Sequence, residues 1–351
     1  MSGSSASYEA PLFDLPKPPP PARTRADAVL PWLAPAAFPV EDESADNESW
    51  VREPPPDDAE GGHHAPPPPD DDGREQPEFH APRPRRAQLD PEELLDGLNP
   101  SQREAVVHTG SPLLIVAGAG SGKTRVLAHR IAYLLAARDV HPGEILAITF
   151  TNKAAAEMRE RVETLIGPRA RMMLVSTFHS ACVRILRREH EHLGLPSSFT
   201  IYDADDSRRL ITLVARDHEL DVKRHPPRGL LAQVSSLKNE LVDYESARSK
   251  AQTEHERLIA AVYADYQQRL IAAKALDFDD LIMTTVNLLQ AFPGVAESYR
   301  RRFRHVLVDE YQDTNHAQYV LVRELTRAGS NPDAKPAELA VVGDADQSIY
   351  A

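Results

Sequence analysis

Short apolar runs recur along the C-terminal three-quarters of the chain: Leu113-Leu114-Ile115-Val116, Glu144 to Phe150, Met172 to Val175, His305-Val306-Leu307-Val308 and Leu339-Ala340-Val341-Val342. Runs of this length, rich in branched side chains, predict strands. Between the early ones the period changes to that of a helix, with Leu127, Ile131, Leu134 and Leu135 on one face of one segment and Met158, Val162 and Leu165 on one face of the next. Strands alternating with helices at this spacing predict an α/β fold, a parallel sheet with helices on both faces. Ligands of such sheets gather at the C-terminal ends of the strands. From 203 to 273 the strands stop. Helical patterns run through Leu210 to Leu220, Leu230 to Leu241 and His255 to Leu270, which predicts an all-helical insertion. Order is expected to begin near Asp90-Pro91, and again at Asn99-Pro100, where a capping side chain precedes a Pro at the first helical position.

Residues 1–90 differ in kind. They hold 19 of the 30 prolines, and 18 acidic against 8 basic side chains, most of the formal charge of −13 carried by the whole chain of 351 residues. Such a leader buries too little apolar surface to offset the entropy of ordering and is expected to be disordered. Its Pro runs, Pro18 to Pro21 and Pro66 to Pro69, suit an aromatic groove on a protein partner. Once the leader is set aside the remainder is nearly neutral, so the overall acidity does not exclude a nucleic-acid ligand. A single cysteine, Cys182, excludes an internal disulfide and a multi-cysteine metal cluster. No run approaches the length of a membrane span, and a soluble, cytoplasmic protein without a membrane partner is expected.

Chemistry enters at the first strand. It runs into Ala117-Gly118-Ala119-Gly120-Ser121-Gly122-Lys123-Thr124, and a helix follows. Strand, glycine-rich loop and helix form the context of a phosphate-binding loop, in which backbone N–H groups and a helix N-terminus converge on phosphate oxygens. Lys123 is expected near the β- and γ-phosphates and the Thr124 hydroxyl on Mg²⁺. The strict pattern asks for Gly where Ala117 stands. A second strand ends in Asp309-Glu310. In phosphate-loop ATPases the first such acid holds the metal and the second activates water.

The neighbouring residues resemble a known family. Asp309-Glu310-Tyr311-Gln312-Asp313-Thr314-Asn315 and Gly343-Asp344-Ala345-Asp346-Gln347-Ser348-Ile349-Tyr350 are similar to two signature motifs of UvrD/PcrA/Rep-type superfamily 1A DNA helicases. Thr149 to Ala155 and Ser176 to Ser180 resemble that family's DNA-contacting motifs, Leu98-Asn99-Pro100-Ser101-Gln102 its adenine-reading motif, and Leu276 to Leu281 a further element. The Ala-first phosphate loop also looks like those of superfamily 1 and 2 helicases.

The resemblance implies a RecA-like ATPase domain over 91–202 and 274–351, with 203–273 as a helical accessory subdomain. It implies ATP and Mg²⁺ as cofactors. ATP is bound by Gln102, Ala117, Gly118, Ala119, Gly120, Ser121, Gly122, Lys123 and Thr124, and the metal by Thr124 and Asp309. Glu310 is the implied catalytic base and Gln347 the γ-phosphate sensor. Phe150, Asn152, Thr177, His179 and Tyr350 are implied to line single-stranded DNA. The implied activity is ATP-driven 3′→5′ translocation and unwinding on single strands and single-/double-strand junctions, in repair or replication. The family's second RecA-like domain has no counterpart here, so this chain alone is expected to bind nucleotide weakly, hydrolyse it poorly and not unwind DNA. Three other readings stay open at this point: an AddA/RecB-type nuclease–helicase subunit, an RNA helicase, and a short, catalytically silent ATP-binding adaptor.

Overall fold

The structure is a computed structural model that describes residues 90–110, 112–329 and 335–344. Residues 1–89, and with them nearly all of the Pro- and acid-rich leader, lie outside the described residues, as do Gln347 and Tyr350. In chain order the elements are α1 (Pro100–Val107), β1 (Leu113–Val116), α2 (Lys123–Ala137), β2 (Ile145–Thr149), α3 (Asn152–Ile166), β3 (Leu174–Thr177) and α4 (Phe178–Arg188). Next come β4 (Thr200–Ile201), α5 (Ala204–Asp217), α6 (Pro227–Asn239), α7 (Tyr244–Lys250), α8 (Glu254–Ala272) and β5 (Ala275–Leu276). The chain then forms α9 (Phe278–Ala291), α10 (Pro293–Arg302), β6 (His305–Val308), α11 (His316–Thr326) and β7 (Glu338–Gly343).

Five strands form one parallel sheet in the order β1-β7-β6-β2-β3. Successive side chains of a strand point to opposite faces, and the cores divide accordingly. Leu146, Ile148, Val306, Val308 and Val341 join one apolar cluster with α4, α9, α10 and α11. Ile145, Ala147, Leu307, Ala340 and Val342 join the other with α2 and α3. Register aligns the strand ends: Val116 sits beside Gly343, Val308 beside Ile148, and Thr149 beside Thr177. All five strands therefore deliver their following loops to one edge.

Three details differ from the sequence pattern. β3 begins at Leu174, because Gly167, with φ of 76°, turns the chain into a 3₁₀ segment over Pro168–Met172. It then continues through Ser176 and Thr177, which are buried by pairing with β2 even though polarity ends the apolar run. β1 lies at the sheet edge with Leu114 62% and Val116 58% exposed, so its unbroken apolar run covers only one face. α7 has too few apolar positions to register as a helix, yet Asp243 caps it by accepting from the Ser246 N–H at 2.6 Å.

Helices α5 to α8 lie between β4 and β5, a parallel pair held by Tyr202 N–H donating to Leu276 O at 2.9 Å. The chain thus leaves and re-enters the α/β layers side by side. The helical segment has its own apolar cluster, including Ile211, Val214, Leu230, Val234, Tyr263 and Tyr266. Among the described residues no helix is long and apolar enough to cross a membrane.

Candidate functional site

The first part of the site is the loop between β1 and α2. Gly120 and Gly122 have φ of 76° and 88°, left-handed values that glycine adopts without strain. Ala117 needs no such freedom. Its N–H donates to Gly343 O at 3.1 Å, continuing the β1–β7 ladder by one residue. That explains how Ala replaces Gly at the head of the loop. Gly118 O closes the turn, accepting from Ser121 Oγ at 2.7 Å and from Ser121 N at 3.3 Å, and exposed Ala119 forms its tip. Gln102 docks on this loop from α1. Its Nε2 donates to Ser121 O at 3.1 Å, while its Oε1 accepts from Asn99 N–H at 3.1 Å in a capping box.

The carboxylates enter from β6 and β7, the strands nearest β1. Lys123, the first residue of α2, is buried and donates from Nζ to Asp344 Oδ2 at 3.0 Å, with Glu310 Oε2 at 3.8 Å. Thr124 Oγ1 donates to Asp309 Oδ2 at 3.2 Å. Asp309 is buried at the end of β6; burial pushes its carboxyl above the usual range and the neighbouring Glu310 adds to this. Glu310 has φ of 48°, uncommon for a residue with a side chain. This kink sends successive side chains from one strand end toward one place: Asp309 meets Thr124, and Glu310 faces Lys123.

Two residues with no assigned role complete this arrangement. Gln312 Nε2 donates to Glu310 Oε2 at 2.8 Å, and its Oε1 accepts from Asp344 N–H at 3.0 Å. Gln312 therefore ties the β6 loop to the β7 loop while it holds the Glu310 carboxylate. Asp344 stands directly after the last residue of β7, Gly343, as Asp309 stands after the last residue of β6, and that signal is visible in sequence.

The second part lies on the other half of the same edge, beyond β2 and β3. Half-buried Phe150 follows β2 and meets Phe178 edge-to-face, with ring centroids 5.9 Å apart. Asn152, exposed, opens α3 behind the capping Thr151. Thr177 is buried, and its hydroxyl caps α4, accepting from Ser180 N–H at 3.2 Å and donating to Ser180 Oγ at 3.0 Å. His179 is half-buried, its pKa lowered by that burial, and meets Phe278 edge-on at 5.5 Å. Phe278 is 48% exposed at the start of α9. A large exposed aromatic on this rim is the residue the sequence reading left without a role; a Phe directly after a capping Asp is its sequence mark.

Strand order thus places the phosphate loop and the carboxylates on β1, β7 and β6, and the aromatic rim on β2 and β3. Adjacent strands are about 4.8 Å apart, so the two groups share one continuous edge. This is the arrangement of a phosphate-loop nucleotide-binding α/β protein.

Comparison with known proteins narrows the class. The UvrD/REP helicase N-terminal domain matches residues 98–351, and the chain belongs to that family. It is 67% identical over 264 residues to ATP-dependent DNA helicase UvrD1 of Mycobacterium tuberculosis, and 65% identical over 266 residues to UvrD1 of Mycobacterium leprae. It is 52% identical over 258 residues to ATP-dependent DNA helicase PcrA of Bacillus subtilis. Each match covers 74% of this chain and 34% of the relative. The chain spans about a third of the length of the curated relatives it matches.

Proposed function

We propose that this chain is the nucleotide-binding part of an ATP-dependent DNA helicase, and that its sheet edge couples ATP hydrolysis to a grip on single-stranded DNA. The observation that carries the reading is the meeting of Lys123, Thr124, Asp309 and Glu310 at the ends of β6 and the phosphate loop, with aromatic side chains on the adjoining strand ends. In this reading, the loop Ala117 to Gly122 offers N–H groups to the phosphates and Lys123 offsets their charge. Gln102 keeps one amide hydrogen and one lone pair beyond its bonds to Asn99 and Ser121, enough to read the adenine edge. Glu310, oriented by Gln312, accepts the proton of the attacking water.

Mg²⁺ fits the donor set. Thr124 Oγ and the buried Asp309 carboxylate are hard oxygen donors already 3.2 Å apart, and Mg²⁺ takes one or two such ligands beside phosphate and water. When bound, the ion neutralises charge on the phosphates. Phe150, Asn152, Thr177 and His179 are assigned to single-stranded DNA. Aromatic faces stack on any base at about 1–3 kcal/mol each, a grip that tolerates every sequence. Exposed Phe278, in contact with His179, belongs to the same surface, whereas the Thr177 hydroxyl acts through the α4 cap. Gln347 as γ-phosphate sensor and Tyr350 as a DNA contact rest on their motif. We extend the relatives' helicase activity to the gene product as 3′→5′ unwinding at single-/double-strand junctions in the cytoplasm, with the Pro-rich leader as a protein-docking segment.

The test is steady-state ATP turnover by the full-length gene product, with and without single-stranded DNA, beside Lys123→Ala. The lysine's charge-assisted contact to phosphate is worth about 1.5–3 kcal/mol, so the variant is expected to lose at least tenfold in turnover. Turnover that ignores both DNA and the substitution would overturn the reading.

A further inference from the structure

The loop that carries Asp309 and Glu310 does not end on the α/β domain alone. It closes at Asn315, the N-cap of α11, whose Oδ1 accepts from the Gln318 N–H at 2.9 Å. The other half of that amide points elsewhere. Asn315 Nδ2 donates to Asn239 Oδ1 at 2.7 Å, across 76 residues of sequence, and Asn239 is the last residue of α6. Asn239 in turn donates to Ser235 Oγ at 3.3 Å and to Asp279 Oδ1 at 3.4 Å, in the first turn of α9.

The residue before it, Lys238, is fully buried and bonded to Asp277 at 2.7 Å and Asp280 at 2.8 Å, which form the capping box of α9. The end of α6 is therefore anchored by a buried ion pair, and from that fixed point a single amide reaches the loop behind Glu310. Even a short polar side chain at a free helix end samples several rotamers. This one is held at three places, and the loop is held by it.

We propose that Asn239 is a positioning residue for ATP hydrolysis, acting through Asn315 on the Asp309–Thr314 loop and so linking the helical segment to the catalytic carboxylate. The proposal rests on the reading of Glu310 as the catalytic base. The helix cap on α11 and the strut to α6 use different atoms of Asn315, so they separate experimentally. Asn315→Ser keeps a good N-cap and loses the Nδ2 donor. Asn239→Ala removes the acceptor. Asn239→Asp keeps an acceptor for Asn315 but sets a carboxylate against Asp279, which lowers stability.

DNA-stimulated turnover in the full-length gene product reads the effect. Asn239→Ala and Asn315→Ser are each expected to lower kcat about three- to tenfold, in the range of residues that carry coupling without touching ligand, with KM for ATP changed less than twofold. The double variant is expected to be no worse than either single. Asn239→Asp is expected to melt below Asn239→Ala yet turn over faster, an order that a purely structural role reverses. Unchanged kcat in both single variants, additive losses, or kcat that follows melting temperature across the set overturns the proposal while leaving the assignment of Glu310 intact. A wild type whose turnover is insensitive to Lys123→Ala removes that assignment and this proposal with it.

Discussion

Cys182 sits on the buried face of α4 among Phe178, Ile185 and Leu186, fully enclosed. Burial pushes its thiol up to about 12, against a slight lowering by the Thr285 hydroxyl. The thiolate is the reactive species, and at pH 8 a thiol of that pKa is ionised to about one part in ten thousand. As the only cysteine in the chain it is also a clean reporter. Thiol-specific reagents are expected to leave the native protein unlabelled over hours and to label it stoichiometrically in denaturant; labelling within minutes under native conditions would show that α4 opens locally. The same scale shows where single residues were readable. Lys123, Thr124, Asp309 and Glu310 stand out because strand, turn and helix punctuate them within a few positions. Thr177 is implied by its motif to line single-stranded DNA; that its hydroxyl also caps α4 depends on a helix start that falls at Phe178 itself.

Between elements, the tie from α2 to β7 makes part of the stability depend on pH in acid. Arg138, just after α2, makes a two-pronged contact with Glu338 at the head of β7, both N–O distances 2.8 Å. Arg130 lies 3.6 Å from the same carboxylate, and its guanidinium also donates to the carbonyls of Ala105 and His108, pinning α1. The hydrogen bonds from Arg138 take the Glu338 carboxyl down to about 2, with further help from the Arg138, His305 and Arg130 charges. A carboxyl lowered on folding adds stability above its unfolded pKa, about 4.3, and loses it as the pH falls toward the folded value. Arg138→Met is therefore expected to destabilise the protein at pH 6, and the gap in urea midpoint to wild type is expected to narrow as the pH drops to 3.5. A constant gap would assign the effect to lost packing by the arginine stem. Element existence was largely legible, since the periods of β2, α2 and α3 are local. Contacts such as Arg138 to Glu338 or Gln312 to Asp344 were not, because they depend on strand order, and β7 inserts between β1 and β6 although it is the last strand among the described residues. The exposed face of β1 was hidden for the same reason.

Among the described residues, three large apolar clusters lie one on each face of the sheet and one inside the helical segment, with a smaller fourth where α1 meets α2. A polar knot lies where the third meets the first, beside apolar contacts such as that of Leu241. Lys238 lies under the rings of Tyr266 at 5.2 Å and Tyr263 at 5.8 Å, and Tyr266 OH donates to Asp277 Oδ2 at 2.9 Å. Gln267 Nε2 reaches Asp280 at 3.2 Å. Burial, with Asp277 beside it, pushes the Asp280 carboxyl up to about 6, so near neutral pH the knot holds one cation against two carboxylates. Taking away the cation leaves charges buried without a partner, a change that costs about 3–5 kcal/mol in comparable sites. Lys238→Met is expected to show this cost locally. In native-state hydrogen exchange, amides of α8 and the α6 end should exchange faster, while those of α2 and β2, whose packing does not involve the knot, keep wild-type protection. Restoring neutrality with Asp277→Asn and Asp280→Asn in the same chain should return much of the lost protection to α8. Uniform acceleration in all four elements would mean that the helical segment and the sheet unfold only together. No acceleration in α8 would mean that β4 and β5 and the apolar cluster hold the segment in place without the charges.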